Sequence, residues 1–229
     1  MLEGEATKAR LGRLLGKEEK PALLFTAGHG MGFPAGNARQ LPHQGALLCQ
    51  DWPGPEQWRR AIPPDFYFAG DDVSDEAQPQ GLIGFFFAPY SAGTPQQDDF
   101  PLTAEGTRHD NAPSPFVTRL PSRLLSHPRG GALAVVGHVE RVWGFSIENE
   151  KQTDDRDRGA FFSMLKRLME GYPVGAAKEF PDDWYMQLHL ALSEEGALLL
   201  RQERKSEPRP SGSGEQQSRA RQGAGGPAP

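Results

Sequence analysis

Cysteine is almost absent from this chain: Cys49 is the only one in 229 residues. A lone thiol cannot form an intramolecular disulfide, so no oxidised framework is expected to hold the fold, and a reducing, cytoplasmic setting is the simpler reading. Positive charge is not in excess either. Lys and Arg number 25 against 30 Asp and Glu, a formal net charge of −5. A nucleic-acid surface needs a concentrated cationic stripe to neutralise phosphate, and none is written here, so nucleic acid is excluded as an expected partner. Long apolar runs are lacking as well. The longest near-continuous one, Leu82 to Ala88, is far shorter than the roughly 20 residues a membrane helix requires, and Met1 to Lys20 has mixed charge without an apolar centre, so neither membrane insertion nor secretion is expected.

What the chain has in plenty is turn formers. Gly 27 and Pro 21 make up about a fifth of the residues, which argues for many turns and long loops and against a coiled coil or helical bundle. The length suits one sizeable α/β domain. Ala6, Ala9, Leu11, Leu14 and Leu15 recur at helical spacing before Gly16, predicting an amphipathic helix weakened by Gly12. Ala22 to Thr26 is a short apolar run that halts at Ala27-Gly28-His29-Gly30, as a buried parallel strand ending in a functional loop does. Met31 to Gln44 reads as loop, Ala46 to Cys49 as a short strand, and Phe66 to Ala69 as a further apolar stretch ahead of the acidic Asp71-Asp72-Val73-Ser74-Asp75-Glu76.

Leu82 to Ala88, with its triple phenylalanine, suits a central strand covered on both faces and stops at Pro89, which cannot donate to a ladder. Phe116 to Leu125 reads as a helix broken by Pro121, and Ala132 to Val139 as a third strand. Strand, long connection, strand is the α/β rhythm. Glu148 to Arg158 is polar and predicts an exposed loop, whereas Phe161, Phe162, Leu165, Leu168 and Met169 predict a helix with one buried stripe. A further helix start is predicted at Pro181 to Asp183, carrying Trp184, Tyr185, Leu188 and Leu192 on one face. From Ser206 on, Gly, Pro and Ser make 13 of 24 residues without one large apolar side chain, so residues 206–229 are predicted to be a disordered tail. There is no internal repeat.

Two strands thus end in loops of unusual chemistry, Thr26-Ala27-Gly28-His29-Gly30-Met31-Gly32 and Phe87-Ala88-Pro89-Tyr90-Ser91-Ala92-Gly93-Thr94-Pro95. In parallel sheets, sites assemble at the carboxyl ends of strands. Together with Gly137-His138-Val139-Glu140-Arg141-Val142-Trp143, these loops resemble the caspase-like cysteine peptidases, in particular the bacterial group related to gingipains and CHAT domains. The resemblance runs from about Pro21 to Leu192, and His29 and position 89 are 60 residues apart, compatible with a roughly 50-residue His-to-Cys separation.

The resemblance implies an α/β, three-layer sandwich around a mostly parallel sheet within residues 1–205, with the strands that would precede Pro21 apparently missing. The chain would then belong to a larger product, or the sheet edge would be covered by a partner. It implies cysteine endopeptidase chemistry without a cofactor or metal: a thiol attacks a peptide carbonyl, a histidine moves protons and backbone amides hold the oxyanion. Carried over by motif, His29 is the general acid/base, the Gly30 amide an oxyanion donor, and the nucleophile belongs at position 89. Position 89 is Pro. Proline has neither thiol nor N–H, so nucleophile and a possible second oxyanion donor are lost together.

The expectation is therefore a pseudopeptidase that binds a peptide or protein ligand or regulates. Its rivals are an active peptidase in which Pro89 is a variant or error, and a scaffold belonging to a larger signalling protein. Asp71, Asp72 and His138 are candidate substrate-binding residues, weighed against a solvated acidic turn for the aspartates and a structural role for the histidine. Cys49, flanked by Ala46-Leu47-Leu48, reads as a buried inert thiol. Ser91, weighed as a substitute nucleophile with His29 as base, lacks the preceding glycine of a nucleophile elbow and reads instead as a small residue standing where the resemblance has a glycine. His29, His43 and Cys49 are too irregularly spaced for zinc.

Overall fold

The computed structural model describes residues 5–98, 109–142 and 156–179, together with Met186. The predicted tail 206–229 and the predicted helix start at Pro181 to Asp183 lie outside the described residues. The chain divides into two compact units, Met1–Thr153 and Asp154–Pro229.

The first unit is mixed α/β. Helix α1 (Lys8–Leu14) begins where the Thr7 hydroxyl accepts from the Arg10 N–H at 3.2 Å, a side-chain cap that supplies one of the partners a helix start lacks. Its buried Leu11 and the following Leu15 lie one turn apart and point into the core. Three strands form a parallel sheet in the order β1-β4-β7: β1 (Leu23–Ala27), β4 (Ile83–Phe87) and β7 (Ala134–Gly137). The register sets Phe25 beside Phe85 and Phe85 beside Val136. The Phe25 and Phe85 rings stack at 5.2 Å.

Parallel strands cannot be joined by a tight turn, and long crossovers separate them here. The first crossover holds helix α2 (Gln40–His43), strand β2 (Leu47–Leu48), a 3-10 turn (Pro64–Phe66), strand β3 (Tyr67–Phe68) antiparallel to β2, and a second 3-10 turn (Gly70–Asp72). The second holds β5 (Gly93–Thr94) antiparallel to β6 (Phe116–Val117), then α3 (Arg119–Leu125).

Phe86 on the central strand is fully buried, in a core with Leu11, Leu15, Leu24, Phe68, Leu120 and Leu124. The residues between Met31 and Gln44, predicted as loop, contain the one-turn helix α2. The predicted break at Pro121 does not occur. Pro121 is the third residue of α3, where a helix needs no N–H, so the proline sits in the first turn and the helix runs on to Leu125.

In the second unit, helix α4 (Arg156–Met169) starts within the stretch predicted as a polar loop, and a turn at Gly171 (φ 86°) ends it. Glycine takes that backbone conformation without strain. The predicted buried stripe is only partly right. Met164, which is not among the predicted stripe residues, is buried, and Leu165 and Leu168 are half-buried, but Phe162 and Met169 face solvent. Seven residues apart, those two share a flank of the helix rather than the face that Met164 occupies. Among the described residues no helix is long and apolar enough to cross a membrane.

Candidate functional site

The loops carrying the two singled-out motifs follow adjacent strands. β1 pairs in parallel with β4 up to Ala27 and Phe87, and the Gly28 N–H donates to the Phe87 carbonyl at 3.0 Å, carrying the pairing one residue past the strand. His29 therefore leaves the end of β1 beside the point where Pro89 leaves β4. The His29 side chain is exposed, and its carbonyl accepts from the Leu48 N–H at 2.9 Å, which ties this tip to β2. Met31 and Ala46 continue the same ladder. The Gly30 N–H makes no hydrogen bond to any described residue, so an unpaired amide stands next to the imidazole-bearing residue.

The turn after β4 is held by backbone on several sides. A Cβ on Gly30 would overlap the Pro89 carbonyl oxygen, and a Cβ on Gly45 the Tyr90 carbonyl oxygen. A Cβ on Gly137 would stand 2.6 Å from the Ser91 hydroxyl. Three glycines from separate segments thus permit close approach of the chain to one turn. Within it Tyr90 takes φ 57°, the only positive φ outside glycine among the described residues. An L-residue with a large side chain rarely occupies that region, and such strain gathers where surrounding structure dictates the path. Tyr90 is only partly buried, yet burial pushes its phenol up to about 12, so it stays protonated at neutral pH.

Hydrogen bonds account for the other amides of the turn. The Tyr90 N–H donates to the Glu140 carbonyl at 3.1 Å, the Ser91 N–H to the Ala88 carbonyl at 3.2 Å, and the Ala92 N–H to the His138 carbonyl at 2.9 Å. Pro89 has none to give. The amide one residue after the expected nucleophile position is thus engaged and cannot stand in as an oxyanion donor.

Ser91 is 1% exposed, and its hydroxyl donates to the Phe86 carbonyl at 2.7 Å while accepting from the His138 N–H at 3.0 Å. Thr118 donates its hydroxyl to the Ser91 carbonyl at 3.1 Å. This serine is a clip between the end of β4 and the end of β7, and a hydroxyl so placed is not presented to a substrate. Nothing in the amino-acid sequence marks that pairing beyond a small polar residue in a turn.

Of the remaining sequence-predicted residues, His138 adjoins this turn, whereas Asp71 and Asp72 lie elsewhere. The His138 ring packs edge-on against Phe87 at 4.8 Å, and burial depresses its pKa to about 4, leaving it neutral at pH 7. Asp71 pairs with Arg119 at 3.1 Å and lies 3.8 Å from the His43 ring. Asp72 pairs with Lys8 at 2.8 Å and accepts from the Ala69 N–H at 2.8 Å. Asp75 pairs with Arg123, which holds its carboxyl below the usual range, and Glu76 with Arg129 at 2.6 Å. The acidic stretch is a seam of ion pairs to α1 and to the α3 region, not merely a solvated turn.

Beside it, His43 Nδ1 and the Tyr67 hydroxyl share a 2.7 Å hydrogen bond, and Tyr67, fully buried, has its phenol pushed up by burial. Cys49 is buried, and desolvation raises its thiol to about 12. No group of three or more His, Cys, Asp or Glu suited to a metal occurs among the described residues.

Comparison with protein-family models, with curated proteins and with solved structures finds no match to this chain.

Proposed function

We propose that this chain is a caspase-like pseudopeptidase: a peptide-binding or regulatory module on an α/β sandwich of that type, with Pro89 at the place of the attacking thiol. The observation that carries the reading is the pairing of the two motif-bearing strands. A His-Gly tip and the tip after a triple-phenylalanine strand leave neighbouring parallel strands at their carboxyl ends, which is where sites on such sheets assemble. The unpaired Gly30 amide agrees with a donor aimed at a carbonyl oxygen. His29, exposed beside it, is the proton carrier. The nucleophile is absent, and its loss costs on the order of 10⁶ in rate where it has been measured in comparable machinery.

The test uses the purified chain. Wild type is expected to hydrolyse no member of a peptide panel, and Pro89→Cys is expected to be labelled by thiol-reactive peptide ketones in a manner that His29→Ala suppresses. Turnover by the wild type that His29→Ala abolishes would overturn the reading. A Pro89→Cys protein that folds and stays unlabelled would equally count against the assigned nucleophile position.

A further inference from the structure

Among the described residues, strand β1 has one partner, β4. Its inward bonds are fixed at both ends, because the Ala22 carbonyl accepts from the Ile83 N–H at 2.8 Å and the Gly28 N–H donates to the Phe87 carbonyl at 3.0 Å. Bonding alternates along a parallel strand, so Leu24 and Thr26 serve β4 while the N–H and C=O groups of Leu23, Phe25 and Ala27 point away from it. No described residue pairs with that outer edge.

The five residues of β1 contain no charge, proline or bulge, the devices by which edges are usually blunted. Ala27 is exposed, and Leu23 and Phe25 are partly so.

We propose that this edge is a docking site for an extended, uncharged peptide segment of another protein, added as a fourth strand. The row of outward donors and acceptors demands a main chain in the β conformation, and the uncharged edge gives a charged segment nothing to pair with. A second copy is the less suitable occupant. Two β1 strands joined back to back would bury on the order of a few hundred Å², well below what a stable dimer needs, and would bring the exposed Lys20 of each copy next to His29 of the other. The inference rests on the pairing of β1 alone, and holds or fails independently of any role for His29 or Pro89 in peptidase-like chemistry.

The probe is a fluorescein-labelled heptapeptide of alternating valine and threonine, followed by anisotropy against the full chain. Saturable binding is expected with Kd of about 10–500 μM, and at least roughly tenfold weaker binding once alternate peptide nitrogens are methylated. Ala27→Pro removes one outward N–H, leaves the inward bonds of Leu24 and Thr26 in place, and is expected to weaken binding likewise. Should that variant fail to fold, the methylated and unmethylated peptides on wild type decide alone. Equal binding of the two peptides, or no binding at about 1 mM, overturns the proposal. So does a concentration-dependent dimer in sedimentation velocity that Ala27→Pro dissolves, since the edge would then belong to a second copy.

Discussion

Gly30 lies so close against the carbonyl of Pro89 that no side chain fits between them. The contact joins the tips of two adjacent parallel strands through backbone alone. Gly30→Ala is therefore expected to displace the turn or to unfold the chain locally, with a loss of several kcal/mol, about 2–4, in urea denaturation. Gly45→Ala is expected to cost at least as much, because it meets the Tyr90 carbonyl and must also hold φ 70°. Gly28→Ala, with open space around its Cβ, is the control and is expected to change stability by less than about 1 kcal/mol. Equal losses at positions 28 and 30 would contradict the packing.

The Ser91 hydroxyl serves two backbone groups at once. Ser91→Ala leaves the His138 N–H without its partner and is expected to cost about 1–3 kcal/mol in thermal or chemical unfolding. The same serine is expected to resist active-serine phosphonates in the folded protein. Stoichiometric labelling at Ser91 would show that the hydroxyl is presented to solvent after all.

His138 titrates near 4 when folded against about 6.5 when unfolded. The unfolded chain thus binds a proton that the folded chain refuses. This contribution is absent above about pH 6.5, and stability falls as pH drops from there towards 4, by up to about 3 kcal/mol in full. Urea midpoints measured between pH 7.5 and 4.5 are expected to decline less steeply in His138→Gln than in wild type. Parallel curves for the two proteins would place the imidazole in a wetter setting.

The Cys49 thiol is buried and held up to about 12, and it donates to the Leu47 carbonyl at 3.3 Å. At pH 8 it is expected to react with an aromatic disulfide reagent only after denaturant is added, releasing one equivalent. Rapid reaction of the native protein would expose a thiol that the packing hides.

Periodicity made the main elements legible. The apolar runs at Leu23, Ile83 and Ala134 became the three strands of the sheet, and the spacing of Leu11 and Leu15 became α1. Less legible were features that depend on partners distant in sequence. Pro121 looks like a helix breaker until its place in the first turn of α3 is known. The acidic run at Asp71 looks solvated until α3 and the chain after it bring Arg119, Arg123 and Arg129 to it. At the candidate site, the proximity of the two loops followed from reading both as ends of parallel strands. The roles of Gly45, Gly137 and Ser91 did not, because a close backbone approach leaves no mark on sequence beyond a glycine, and this chain has 27.

The enclosure of the turn at residues 89–91 has a consequence for how this chain can change. Its course is dictated by what surrounds it, namely main chain from three other segments, and hardly by the side chain that residue 89 happens to carry. A substitution at residue 89 that keeps those approaches is therefore held at the same spot, between the tips of β1 and β7.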